Sequence, residues 1–224
     1  MPRFQQIAID GPAGAGKSTV ARAVAERLGY TFVDTGAMYR CVALAALNQA
    51  LTLDQPEAIG QLAERLTIRF GELHEGRQRV WLDEDEVTEA IRTPPVHATV
   101  SPVSAIPAVR QALLHQQRAF AQQGPVVMEG RDIQTVVLPE ADVKVFLDAS
   151  VEERARRRYA ELPPEAMSLE QVEANLVDRD SRDSSRPTAP LRAAPDAVRI
   201  DTDGLTVEQV ILTVLELARS RAVG

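Results

Sequence analysis

Gly11-Pro12-Ala13-Gly14-Ala15-Gly16-Lys17-Ser18-Thr19 fits G-x-x-x-x-G-K-[ST] in full. Glycines at this spacing let the backbone curl until successive N–H groups point inward at the positive end of the following helix. That concavity suits an anion with several oxygens. Lys17 is expected to reach the β and γ phosphates of a nucleoside triphosphate, and the Ser18 hydroxyl to ligate Mg²⁺. Of the 25 basic residues only Lys17 and Lys144 are lysines, and the loop needs a compact point charge that a planar guanidinium replaces poorly. A plain glycine turn leading into a helix is the simple alternative. A dinucleotide fingerprint with Asp34 on the ribose is the nearest competitor, but the order Gly11, Gly14, Gly16 is wrong for it.

Further candidates lie downstream. Glu129 closes the short apolar run Val126-Val127-Met128, where a phosphate-loop protein places an acid near the Mg²⁺ hydration shell. An acid that ends a strand for structural reasons is the alternative. Arg131, two residues on, can meet phosphate oxygens with its fork. Arg154, Arg156, Arg157 and Arg158 crowd one helical stretch, and Arg179, Arg182 and Arg186 another, the two separated by Leu162-Pro163-Pro164. Two arginine-bearing helices joined by a proline break suggest a movable flap, although Glu153 and Arg157, four apart, can simply pair on a helix surface.

The elements that must position these groups alternate. Phe4 to Asp10, Tyr30 to Val33, Val126 to Glu129, Val143 to Leu147 and Ala197 to Ile200 read as buried parallel strands. Helices are expected at Lys17 to Leu28, Ala37 to Ala50, Val96 to Ser101 and Ala108 to Gln122, with Pro94-Pro95 as a break. Asp54 is expected to cap a short helix ending near Leu66, and Ser150, Ser168 and Thr206 to open three more through capping boxes. The last carries Val207, Val210, Ile211, Val214, Leu215 and Ala218 on one apolar face. Thr67 to Phe70 and Arg79 to Leu82 alternate around His74-Glu75-Gly76-Arg77, an antiparallel hairpin inserted in a parallel core. Asp83-Glu84-Asp85-Glu86 reads as a solvated turn. The fold class is α/β: a five-stranded parallel sheet with helices on both faces, a small antiparallel insertion and a helical lid. Residues 1–34, 105–150 and 187–224 form the core, 35–104 the insertion-bearing region and 151–186 the lid.

Composition narrows the partners. A net charge of −7 argues against a duplex-binding surface, no apolar run approaches a membrane span, and Met1 to Gln6 lacks a signal peptide's apolar core. A cytoplasmic monomer acting on small molecules is expected, with no nucleic-acid or membrane partner. The lone Cys41 reads as a core residue, and His74, His97 and His115 lack metal-ligand spacing.

Gly11 to Thr19, Asp34-Thr35-Gly36-Ala37-Met38-Tyr39-Arg40, Glu129-Gly130-Arg131-Asp132 and Arg179 through Arg186 fall in the order seen in the bacterial cytidylate kinases, which the chain resembles over nearly its whole length. The resemblance implies a nucleoside monophosphate kinase fold of the P-loop type, using ATP and Mg²⁺ on CMP and dCMP. It implies that Thr35, Tyr39, Arg40, Arg131 and Arg186 hold the acceptor phosphate and nucleoside. It further implies that Ser101, Arg110 and Asp132 read the cytosine, and that Arg179 and Asp183 lie near the ribose. Glu129 departs from the aspartate expected there. On this reading Lys17, Arg131, Arg154, Arg157 and Arg158 neutralise the transferred group, while Ser18 and Glu129 serve the metal. A kinase for another small acceptor, a nucleotide-gated regulator and an inactive nucleotide-binding module are the alternatives. The regulator is disfavoured by the lack of an N-K-x-D segment.

Overall fold

The computed structural model describes residues 5–74, 77–163 and 166–221. Two compact units emerge, residues 1–33 with 121–224, and residues 34–120.

The first unit carries the parallel sheet. Its strands are β1 (Gln6–Asp10), β2 (Thr31–Asp34), β6 (Val126–Gly130), β7 (Val143–Asp148) and β8 (Val198–Asp201), in the order β2-β6-β1-β7-β8. β1 pairs in parallel with β6 and β7, so that Asp10 lies opposite Gly130 and Phe146, and β8 follows on β7. The five strands fall within about a residue of where the apolar runs put them; Phe4 lies outside the described residues.

α1 (Lys17–Leu28) and α8 (Val207–Ser220) cover one sheet face, packing Val20, Val24, Val210, Val214 and Leu215 on Ile7, Ile9, Val127, Val145 and Leu147. Gly29 stops α1 in the left-handed region, φ 68°. The capping box at Thr206 forms with Gln209, but Val207 at the head of α8 stays 52% exposed and is not part of the apolar face expected of it. α6 (Val151–Ala160) and α7 (Leu169–Ser185) bury Ala155, Val172 and Leu176 around Ala13 of the phosphate loop. Ser168 and Gln171 form the expected box on α7. Ser150 accepts from the Glu153 N–H, but the Glu153 carboxylate pairs with Arg156 and Arg157 rather than completing a box.

The second unit has α2 (Thr35–Asn48), α3 (Pro56–Arg65), α4 (Pro94–Ala105) and the greater part of α5 (Pro107–Gln123) around the sheet β3 (Ile68–His74), β4 (Arg77–Leu82) and β5 (Asp85–Glu86). Its core includes Cys41, Ile59, Leu62, Ile68, Val80, Val103 and Leu113. β3 and β4 form the expected antiparallel hairpin; Glu75 and Gly76 of its turn lie outside the described residues. Three local expectations are corrected. Gln55, not Asp54, is the N-cap residue of α3, and Asp54 accepts instead from the Thr52 hydroxyl. Pro94 and Pro95 open α4 rather than break it, because proline suits a first helical turn whose amides have no intrahelical partner. Asp85 and Glu86 pair with β4 as a short exposed third strand, Glu86 bonding Arg79.

Candidate active site

β1 ends at Asp10, and the chain turns under the end of β7. Gly11 has φ 152°, and a Cβ there would lie 2.0 Å from the Leu147 carbonyl oxygen, so only glycine lets the loop leave the strand at this point. Gly14 and Gly16 follow with φ 80° and 82°. Gly16 is the N-cap residue of α1 and offers no side chain to its first amides, which is the condition for an anion to take them. Ser18 and Thr19 are exposed in that first turn, while Lys17 is buried. Its Nζ donates to the Pro12 carbonyl at 2.6 Å. Burial, then the Arg131 charge, pull its pKa down to about 7 against the opposing pull of Glu129.

The loop is also held from behind. The Ala13 carbonyl accepts from an Arg154 Nη at 3.0 Å, and the Ala13 N–H donates to Asp180 at 3.4 Å. The same Arg154 nitrogen meets Asp180 at 2.6 Å, and Arg154 Nε donates to the Ala149 carbonyl at 3.0 Å. Arg154, 4% exposed, therefore supports the loop from behind. Arg157 makes the anticipated pair with Glu153 at 3.0 Å and also donates to the Thr202 hydroxyl and carbonyl, at 2.9 and 3.0 Å. Of the three candidate arginines of α6, Arg158, on Glu161 at 2.9 Å, has the most accessible side chain. Arg154→Ala is expected to lower stability by roughly 3 kcal/mol, since a buried ion pair loses one partner. Arg158→Ala should cost under about 0.5 kcal/mol. Urea unfolding of the two variants separates supporting from surface arginines.

The segment after β6 meets α7. Glu129 is buried at the strand end. Arg131 Nε donates to Asp183 at 3.0 Å, and an Nη donates to the Gly130 carbonyl at 3.2 Å. Arg186 lies 3.7 Å from Asp132 and 3.9 Å from Asp183, all three nearly inaccessible. The Arg179 charge, like that of Arg131, bears on Lys17. The residues Arg131, Asp132, Asp183 and Arg186, scattered over some fifty positions, thus form one network.

In the second unit Asp34 caps α2, accepting from the Ala37 N–H at 3.0 Å, and pairs with Arg40 at 2.6 Å. Burial opposes its charge, but Arg40 and the Ala37 amide hold the carboxyl below its ordinary range. Thr35 and Tyr39 are buried on α2. The Arg110 guanidinium stands 5.3 Å over the Tyr39 ring and donates to the Ser104 carbonyl at 3.1 Å; the Ser104 hydroxyl donates to the Ser101 carbonyl at 2.8 Å. Tyr39, Arg110 and Ser101 are thereby linked through Ser104, and Arg40 is bonded to Asp34.

Over residues 7–220 the sequence matches the cytidylate kinase family. The chain belongs to that family. It is 51% identical over 215 residues to the cytidylate kinase of Exiguobacterium sibiricum, covering 95% of this chain and 96% of the relative. It is 50% identical over 214 residues to that of Carboxydothermus hydrogenoformans, again covering 95% and 96%. A solved structure of an uncharacterized protein from Eubacterium ventriosum shares the fold, with a TM-score of 0.54, 12% identity, and 97% and 99% of the two chains covered. Within this chain, Asp10, Ser104 and Asp180 are the site neighbours that sequence reasoning misses. Asp10 could have been found: it ends an apolar strand one residue before the loop, the same signal that marks Glu129. Burial pushes its pKa up to about 7, with Asp132 adding to the rise and two backbone amides and Lys17 working against it. Asp180 and Ser104 give no such signal, since one sits among alternating charges and the other among small helix residues.

Proposed function

We propose that the chain transfers the γ-phosphoryl group of ATP to CMP or dCMP, giving CDP or dCDP. The observation that carries this reading is the family match across residues 7–220, on a chain whose phosphate loop is formed with Lys17 buried at its base. Gly11 to Thr19 take the triphosphate, with amides of the loop and α1 and the Lys17 ammonium on its oxygens. Thr35, Tyr39, Arg40, Arg131 and Arg186 hold the acceptor, Ser101, Arg110 and Asp132 read its base, and Arg179 and Asp183 its sugar. Cytosine suits the base set: its exocyclic amine needs acceptors such as Ser101 and Asp132, and N3 and O2 need a donor such as Arg110. Residues 35–104 act as the monophosphate-binding region and 151–186 as the lid over a core of 1–34, 105–150 and 187–224.

The residues present fit Mg²⁺. An exposed Ser18 hydroxyl and the buried Glu129 carboxylate are hard oxygen donors, and Mg²⁺ takes one or two such groups beside phosphates and water. Among the described residues no three His, Cys, Asp or Glu gather into a denser metal cluster. When bound, the ion neutralises phosphate charge. An acceptor phosphate oxygen attacks the γ phosphorus in line, the β–γ bridging bond breaks, and its oxygen leaves on ADP. That oxygen is already nucleophilic, so Lys17 and Arg131 work by placing and stabilising charge. They need not remove a proton.

Coupled ADP release with CMP, dCMP, UMP and AMP tests the assignment. CMP and dCMP should accelerate release most; no acceleration by CMP would refute it. A second test uses Lys17. Its pKa of about 7 in the free protein must rise once triphosphate oxygens surround it. Binding of ATP should therefore take up more protons per site at pH 8.5 than at pH 6. Titration calorimetry in buffers of different ionisation enthalpy reads the number directly.

A further inference from the structure

Asp10 has no part in the scheme above, yet it is fully buried. An ionisable group is costly to bury unless it is well bonded, and its two oxygens are divided between two consecutive amides. Oδ1 accepts from the Ile133 N–H at 3.0 Å and Oδ2 from the Gln134 N–H at 2.8 Å. These amides begin the single π turn 133–137, immediately after Arg131 and Asp132. The β1–β6 ladder ties the two segments only as far as Gly130, which lies opposite Asp10 itself. The Asp10 side chain extends the tie past the strand end, reaching over Arg131 and Asp132 to the far side of the pair. Its own backbone leads straight into Gly11.

We propose that Asp10 is a positioning residue for phosphoryl transfer: its forked acceptance of the Ile133 and Gln134 amides fixes Arg131 and Asp132 relative to the phosphate loop. Two neighbouring donors demand two acceptors. Asparagine keeps the shape but turns an NH₂ toward one amide, so one bond is lost and one donor is left facing a donor. The segment then shifts at its downstream end, and misplacement of about an ångström in a transfer site costs up to about a hundredfold in rate. Asp132 moves with Arg131, so base selection weakens along with rate. This last expectation rests on the assignment of Asp132 to cytosine.

The experiment compares Asp10→Asn with wild type and with Ile211→Val, a core substitution on α8 that reports ordinary destabilisation. Asp10→Asn should lower kcat by about 30-fold or more and reduce the CMP-to-UMP ratio of kcat/KM several-fold. Its equilibrium affinity for ATP should stay within about threefold of wild type, and Ile211→Val should leave all three near wild type. A folded Asp10→Asn with wild-type kcat and ratio overturns the proposal, as does a loss confined to ATP affinity. Should Asp10→Asn not fold, amide exchange in the wild-type protein decides. Slow exchange at both Ile133 and Gln134 supports the fork, and exchange of either at solvent rates overturns it. A wild type that CMP does not accelerate refutes the kinase assignment instead and leaves the exchange measurement to judge the fork.

Discussion

Lys17→Met should cut kcat by about a thousandfold while leaving the fold intact. The ammonium is held at the base of the loop by the Pro12 carbonyl, 2.6 Å away, and little else can bring a compact positive charge to that place. Removing one preorganised charge from a transfer site costs about 10²–10³ in rate, and a buried cation aimed at the phosphates belongs at the upper end of that range. Methionine matches the length and accepts burial, so stability should rise, not fall. The sign follows from the titration. A lysine whose pKa drops from 10.5 to about 7 on folding binds fewer protons folded than unfolded between those values. Its contribution is thus present above pH 10.5 and lost as pH falls through 7. The gain in Tm of Lys17→Met over wild type should be largest below pH 7 and shrink toward pH 10. Lys17→Arg should stay far below wild type in rate, because a planar fork cannot take the position of a point charge. Near-wild-type turnover in Lys17→Met would contradict the role.

Arg131→Ala should lower kcat by about a hundredfold with little change in ATP affinity. Its Nε bond to Asp183 and its Nη bond to the Gly130 carbonyl set the guanidinium across the link between the strand end and α7. The variant removes a charge from the transfer site and leaves the buried Asp183 with the weaker 3.9 Å approach of Arg186. Rate and stability should therefore fall together, the second by roughly 2 kcal/mol. Arg131→Lys separates the two effects. It restores the charge but not the fork, so stability should recover more than rate. Stopped-flow transfer and equilibrium nucleotide binding on the three proteins check the division; an equal loss in rate and in ATP affinity would count against it.

The parallel strands were readable because each is an apolar run fed by a turn signal, and the phosphate loop because glycine spacing, Lys17 and the adjoining strand and helix speak together. Periodicity carried less at chain ends of elements. Asp54 looks like a cap for α3, but capping is settled by which side chain reaches an amide, and Gln55 holds the N-cap position without making that bond. Val207 fits the heptad-like spacing of α8, yet it sits in the first turn and stays 52% exposed. The arginine-rich helices show the sharper limit. A run such as Arg154, Arg156, Arg157 and Arg158 gives the charge but not the partner. Whether each guanidinium ends on Ala13 and Asp180, on Glu153, on Thr202 or on Glu161 is decided by tertiary packing. Likewise the network of Arg131, Asp132, Asp183 and Arg186 joins residues some fifty positions apart, and only the family resemblance hinted at their proximity.

The grip of Arg154 and Asp180 on the backbone carbonyl and N–H of Ala13 makes the nonapeptide a poor candidate for transplantation. A protein engineer who grafted residues 11–19 onto a foreign strand and helix would carry over the glycines and the lysine. The two helices that shape the curve from outside would stay behind. The signature is continuous in the chain, whereas the object it names is assembled from three distant stretches.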